Sequence, residues 1–325
     1  MVPLRIAIIG CGMIGRIHAD RLAGLGHAIV AASDPDLERA RAVAAGGRAY
    51  QDHRDLLREG GIDVACVCSP TPHHHGAVMD CAAAGVHVFL EKPMSVTLDE
   101  GREMAAAMEA AGLALGFGFK MRFEAVFAEA RRLVAEGTIG RPRYATFSFY
   151  QPTPPGERIW YADIGVLRDM LVHMIDLAGW LLDAGPSAVR ARTDREIGRA
   201  GEDKAFIDID FGERVEARIQ GGYLADYPDV AGREDIVFQI VGERGYVLGK
   251  RPDLLLAVTA DGSRTHALAP IDAFAAELKA FTDALAAREL PPVTGRDGLR
   301  AQAMIDAAER SAAAGGAEAR IPRWH

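Results

Sequence analysis

Asp169, His173 and Asp176 fall at i, i+4 and i+7, so they share one face of a helix predicted over Asp163–Leu182. The residues between them, Met170, Leu171, Val172, Met174 and Ile175, are apolar, which predicts that the other faces of this helix are buried. A carboxylate one turn from an imidazole fixes its tautomer and stabilises its cation, as a general base requires. The same spacing also serves as a helix-stabilising Asp–His pair at a domain interface. A second group is Glu91-Lys92-Pro93, directly after Val86–Leu90, an apolar run that reads as a strand. Ligands of parallel sheets gather at the carboxyl ends of strands. That rule puts Lys92 near the reactive end of a bound cofactor, with Pro93 restricting it to an extended backbone. Without such a sheet, Lys92 is an ordinary surface lysine.

The cofactor is legible in the first fifteen residues. Leu4–Ile9 reads as a buried strand, Gly10-Cys11-Gly12-Met13-Ile14-Gly15 as a turn, and Arg16–Leu25 as a helix. Strand, glycine-rich turn and helix hold a dinucleotide pyrophosphate. Gly10 permits the tight turn, Gly12 lets phosphates approach the backbone, and Gly15 lets helix and strand pack closely. The helix N-terminus adds unpaired N–H groups and partial positive charge. Asp34 follows the second apolar run, His27–Ala32, 19 residues after Gly15, where an acid meets the adenosine ribose hydroxyls. A carboxylate there repels a 2′-phosphate, so NAD is predicted over NADP.

Positioning these groups requires two kinds of architecture. Up to residue 120, strands (Val64–Cys68, Val86–Leu90, Leu113–Phe117) alternate with helices, which predicts a doubly wound parallel sheet, a Rossmann domain over 1–120. Beyond it, Tyr144–Tyr150, Ala205–Phe211, Val215–Tyr223, Ile236–Val241 and Leu254–Val258 read as strands joined by short turns. They predict an α+β domain over 121–325, built on a largely antiparallel open sheet with helices on one face. Its uncovered face predicts self-association.

Composition narrows the partners. The 325 residues are 49% hydrophobic and 25% charged, ordinary for a globular protein. A net charge of −8 argues against nucleic acid and anionic membranes. No signal peptide or membrane-spanning run is read, and Cys11, Cys66, Cys68 and Cys81 show neither zinc spacing nor a disulfide framework, so a reducing, cytoplasmic setting is expected. The run His73-His74-His75 does not aim three rings at one ion from a regular element, and no metal is expected.

Taken together, these motifs resemble the family of glucose–fructose oxidoreductase, inositol dehydrogenase and their relatives, over nearly the whole length. The resemblance rests on the glycine turn, Asp34, Ser69-Pro70 with His74, Gly85 through Glu91-Lys92-Pro93, Gly118 through Phe123, Gly137-Thr-Ile-Gly140, and the helix of Asp169, His173, Asp176 and Trp180. It implies that Lys92 contacts the reacting oxygen, that His173 accepts the proton with Asp169 beside it, and that Ser69, Pro70, His74 and Glu91 belong to the cofactor site. The implied reaction is NAD-dependent oxidation of a sugar or polyol hydroxyl, and the implied assembly a homodimer or homotetramer. Two other roles occur among such proteins: a glycoside hydrolase that uses NAD in a transient oxidation, and a non-catalytic NAD-binding regulator. Retention of Lys92, Asp169 and His173 argues against the regulator. Arg122, Tyr150 and Trp160, with Arg158 and Tyr223, are candidates to line a sugar pocket. The chain departs from the family pattern at Ala162-Asp163-Ile164-Gly165 and at Leu171, where a glycine is usual; both changes are expected to add bulk near the substrate.

Overall fold

The computed structural model describes residues 3–153, 161–224 and 235–321. They form two compact units, one drawn from residues 1–120 and 272–302, the other from 121–271 and 303–325.

In the first unit, β1 (Arg5–Ile9), β2 (Ala28–Ser33), β3 (Arg48–Tyr50), β4 (Val64–Val67), β5 (His87–Leu90) and β6 (Leu115–Phe117) make one sheet in the order β3-β2-β1-β4-β5-β6. Every neighbouring pair is parallel. The central strands are apolar on both faces: Ile6, Ala7, Ile8 and Val64 to Val67 are all buried, as a sheet covered by helices on both sides demands. The order reverses between β1 and β4, and a ligand crevice opens at the carboxyl ends of such a pair. The helices are set by their own ends. Asp36 accepts the N–H groups of Glu38 and Arg39, and Thr97 with Glu100 forms a reciprocal cap.

The second domain expected over 121–325 gives up residues 272–302 to this unit. The reason is the apolar face of the helix Ala273–Ala287. Its Leu278 and Phe281 join the core of Ile6, Leu22 and Phe89, and Phe281 meets Phe89 edge-on at 5.4 Å between centroids.

The second unit is a nine-stranded sheet. Its strands are β7 (Pro142–Pro152), β8 (Ala188–Asp194), β9 (Lys204–Asp210), β10 (Glu216–Leu224), β11 (Asp235–Gly242), β12 (Gly245–Lys250), β13 (Leu254–Thr259), β14 (Gly262–Ala267) and β15 (Ala319–Arg320), in the order β14-β13-β12-β11-β7-β10-β9-β8-β15. All pairs are antiparallel except β7 with β10. Phe147, Phe149, Ile219 and Phe238 point inward, and the helices Ala125–Ala135 and Leu171–Leu182 cover that face. The sequence reading missed β8, β12, β14 and β15 here, and β3 in the first unit. β14 carries no apolar alternation because it is a polar edge strand, nearly all exposed. The single helix expected over Asp163–Leu182 is three pieces, Tyr161–Ile164, Val166–Asp169 and Leu171–Leu182. Gly165, at φ +91°, breaks the first junction and Met170 the second.

Candidate active site

The glycine turn fits the three tasks read from its sequence. Gly10 has φ +92°, and a Cβ there would lie 2.5 Å from the Ser69 backbone nitrogen. A Cβ on Gly15 would lie 2.0 Å from the Gly10 carbonyl oxygen, so strand end and helix touch backbone to backbone. Around Gly12 the situation is opposite: beyond its chain neighbours, no atom of the described residues lies within 4 Å of a Cβ. The helix Met13–Gly24 begins there without a side-chain cap, so its first N–H groups face the open side of Gly12. That cradle fits a pyrophosphate. Cys11 is a core thiol, pushed up to about 12 by burial and by the charge of Asp34. Met13 is exposed and Ile14 half-buried at the turn's outer side.

Asp34, at the tip of β2, accepts the Cys11 N–H through Oδ2 at 2.8 Å and the Asp36 N–H through Oδ1 at 2.9 Å. It thereby ties the second strand to the turn, and its remaining lone pairs are available to hydroxyls. Ser69 Oγ, after β4, is buried without a hydrogen-bond partner among the described residues, a second polar atom fitted to a ligand; Pro70 beside it is exposed. His74 is 1% exposed and opens the helix His74–Ala83. Its Nε2 lies 2.7 Å from the Ser69 carbonyl, and its Nδ1 lies 3.1 Å and 3.2 Å from the carbonyls of Pro93 and Met94. Carbonyls on both sides suit an imidazolium, yet burial lowers the ring's proton affinity; burial dominates, and the 2.7 Å contact is the one a neutral ring donates to. His73 is exposed, and His75 bonds Glu103 at 2.8 Å, so the three rings diverge.

Lys92 is half-buried after β5, joined to Pro93 by a cis peptide. Glu91 before it is 8% exposed. Its Oε1 lies 2.6 Å from His18 Nε2, and its Oε2 accepts the Lys92 N–H at 3.1 Å. The sequence reading missed His18 and Glu277, which share this pocket. Both left a signal: each is a polar residue on the apolar side of its helix. His18, Glu91 and Glu277 offer ligand atoms within 4.8 Å of one another, as do His18, Cys66 and Cys68. Two donors on one tetrahedral zinc stand about 3.3 Å apart, so the 2.6 Å His18–Glu91 contact is a hydrogen bond. Burial holds the Cys68 thiol well above its usual range, which disfavours the thiolate a metal needs.

In the second unit, Asp169 is half-buried and accepts the Tyr223 hydroxyl through Oδ2 at 2.6 Å. His173 is 6% exposed on the first turn of Leu171–Leu182. Asp176, one turn further, is 1% exposed and takes a two-pronged ion pair from Arg122, with Nε at 2.8 Å from Oδ2. The Arg122 guanidinium also lies 5.5 Å over the Trp180 ring. Arg122 therefore clamps the polar face of this helix from within the unit. Tyr150 is half-buried on β7. Trp160 and Arg158 lie outside the described residues.

The departures from the family pattern are absorbed by packing. Leu171 is fully buried, and a Cβ on Gly221 of β10 would lie 2.7 Å from its Cδ2. The side chain fills the space that glycine leaves. Asp163 pairs with Arg199 and accepts the Ala200 N–H.

Comparison with known proteins agrees with this architecture. Residues 4–119 match the model of the GFO/IDH/MocA oxidoreductase family, NAD-binding Rossmann fold, and residues 127–248 match the GFO/IDH/MocA C-terminal domain. The myo-inositol 2-dehydrogenase of Thermotoga maritima is 30% identical, over 95% of this chain and 96% of its own. A crystal structure of a putative myo-inositol dehydrogenase from Sinorhizobium meliloti superposes with a TM-score of 0.82 at 27% identity, covering 98% of this chain and 100% of that one. An Agrobacterium radiobacter oxidoreductase in complex with NAD+, L-tartaric acid and magnesium shares the fold, with a TM-score of 0.88 at 23% identity over 98% of this chain and 99% of its own. With the glycine cradle, the acid at the second strand and two family models covering most of its length, the chain belongs to the Gfo/Idh/MocA family of NAD-dependent oxidoreductases.

Proposed function

We propose that this protein oxidises a secondary hydroxyl of a polyol or sugar, with inositols as the first substrates to test. When bound, NAD would supply the hydride acceptor for this oxidation. The turn at Gly12 and the first N–H groups of its helix bind the pyrophosphate, and Asp34 binds ribose hydroxyls. His173 takes the hydroxyl proton on its imidazole, and the Asp169 carboxylate, itself oriented by Tyr223, favours the resulting cation. The Lys92 ammonium faces the reacting oxygen and stabilises its developing negative charge. Tyr150 is a candidate to line the polyol. What carries the reading is the combination of Lys92 at the carboxyl end of β5 with the His173 and Asp169 pair, in a chain matched nearly end to end by an inositol dehydrogenase.

The test is a panel of myo-inositol, scyllo-inositol, aldoses and sugar acids with NAD+, following NADH absorbance. Lys92→Ala and His173→Ala should each lose turnover by about a hundredfold or more while NAD binding persists. Normal turnover in Lys92→Ala would overturn its role. Release of a free aglycone without net NADH would favour the hydrolase chemistry instead.

Self-association belongs to the same reading. Tyr144, Val237, Val241, Tyr246, Leu248 and Leu256 are only partly buried on the sheet face opposite Phe147 and Phe238. A homodimer or homotetramer would cover them, and light scattering at micromolar concentration decides it.

A further inference from the structure

The backbone of Lys92 is held by buried side chains that the proposed reaction leaves unused. Glu91 turns its carboxylate back on the chain, so that one oxygen accepts the N–H of Lys92 at 3.1 Å and the other meets His18 at 2.6 Å. His18 is wholly buried, three residues past Gly15 on the helix that opens at the glycine turn. Phe89 and Phe274 fix its ring edge-on, at 5.4 Å and 5.6 Å between centroids. Space for the carboxylate is reserved by Gly118, where a Cβ would lie 3.1 Å from Glu91 Oε1. Glu277 is 2% exposed, and among the described residues neither of its oxygens has a hydrogen-bond partner.

We infer that Glu91 is a positioning residue for Lys92: through His18 it ties the Lys92 backbone to the helix of the glycine turn, and its carboxylate is the counter-charge beside the Lys92 ammonium. The inference rests on the reading of Lys92 as the group facing the reacting oxygen. The charges around the pair fit it. Besides Lys92, the groups acting on His18, Glu91 and Glu277 are Cys66 and Lys120. Burial pushes the Glu277 carboxyl well above the usual range, so it stands as a neutral acid. Burial also pushes Glu91 up, but the hydrogen bond and charge of His18, with the charge of Lys92, outweigh it and hold Glu91 below its ordinary value. Of the two carboxyl groups in the pocket, the one that favours its charged form is therefore the one that holds Lys92.

The test reads Lys92 directly and needs no substrate. The intact protein is acylated with acetic anhydride across a pH series, and modification of Lys92 is quantified by mass spectrometry. Glu91→Gln keeps the shape and removes the charge, so Lys92 should titrate about one pH unit lower than in the wild type, a roughly tenfold loss of proton affinity. His18→Gln leaves the carboxylate without its cation, and the buried acid takes up a proton, so Lys92 should shift the same way. Glu277→Gln exchanges one neutral group for another and should leave Lys92 unmoved. Unchanged Lys92 titration in folded Glu91→Gln or His18→Gln overturns the inference. If both variants fail to fold, the histidine nitrogen spectrum of the wild type decides: a doubly protonated His18 at neutral pH supports the pair, and a neutral His18 overturns it. These results stand apart from the turnover of Lys92→Ala, which tests the catalytic reading alone.

Discussion

Tyr223, on β10, donates a 2.6 Å hydrogen bond to Asp169 on the segment just before the helix of His173. Tyr223 is 3% exposed, so the bond is sheltered from water. A hydrogen bond to a charged acceptor contributes roughly 1.5–3 kcal/mol. Freed of it, the Asp169 carboxylate loses one of the contacts that aim it. Tyr223→Phe should therefore lower kcat/KM for polyol oxidation about tenfold, with NAD Kd within about twofold of wild type. Steady-state kinetics and a cofactor titration check it, and an equal loss in NAD affinity would point to unfolding of the site instead.

Leu171 and Gly221 form a complementary pair, one filling what the other leaves open. Truncating Leu171 to alanine leaves a cavity over β10 and should destabilise the second unit by about 2–5 kcal/mol in chemical denaturation. KM for the substrate should stay within about twofold, because the side chain is fully buried in the core. A large KM change at unaltered stability would place Leu171 in the pocket after all.

The two groups of candidate residues were legible in the sequence to different depths. Gly10, Gly12, Gly15 and Asp34 are local: each lies within a strand–turn–helix whose spacing by itself points to the role proposed for it. Lys92 was legible because it ends a strand. The Asp169–His173 spacing was read as one face of a single helix, whereas the two residues lie on separate helical pieces that meet at Met170, and the partner Tyr223 arrives from a strand some fifty residues later. His18 with Glu91, and Arg122 with Asp176, are likewise tertiary contacts between distant segments. Periodicity names such residues as polar positions on apolar faces without naming their partners. The return of 272–302 to the first unit has the same cause: a helix face shows that it is apolar, not which core it joins.

Gly12 and Gly15 should separate binding from folding. Gly12→Ala meets open space, so its melting temperature should stay within about 2 °C of wild type while NAD affinity falls at least tenfold, because the new methyl occupies the phosphate's approach. Gly15→Ala drives a Cβ to 2.0 Å from the Gly10 carbonyl. It should destabilise the first unit by more than about 2 kcal/mol, seen in denaturation before any cofactor is added. If Gly12→Ala bound NAD normally, the cradle would have been assigned to the wrong ligand.

The His18–Glu91 pair gives the fold an alkaline limit. Burial alone would lower the His18 ring, but the neighbouring Cys66 and the hydrogen bond and charge of Glu91 outweigh it and raise the ring to about 9, against 6.5 for an ordinary histidine. A group whose proton affinity is raised on folding stabilises the protein fully below its unfolded value, and the contribution is lost as pH rises through the folded value. Between about pH 6.5 and 9 the wild type should therefore lose stability progressively, by at most about 3 kcal/mol. His18→Gln carries no titrating ring, so its melting temperature should lie below that of the wild type at pH 6.5 and fall less steeply up to pH 9. Thermal melts of both proteins across that range test the sign directly: a wild type that gains stability over this window would mean that burial wins and His18 is neutral in the folded chain.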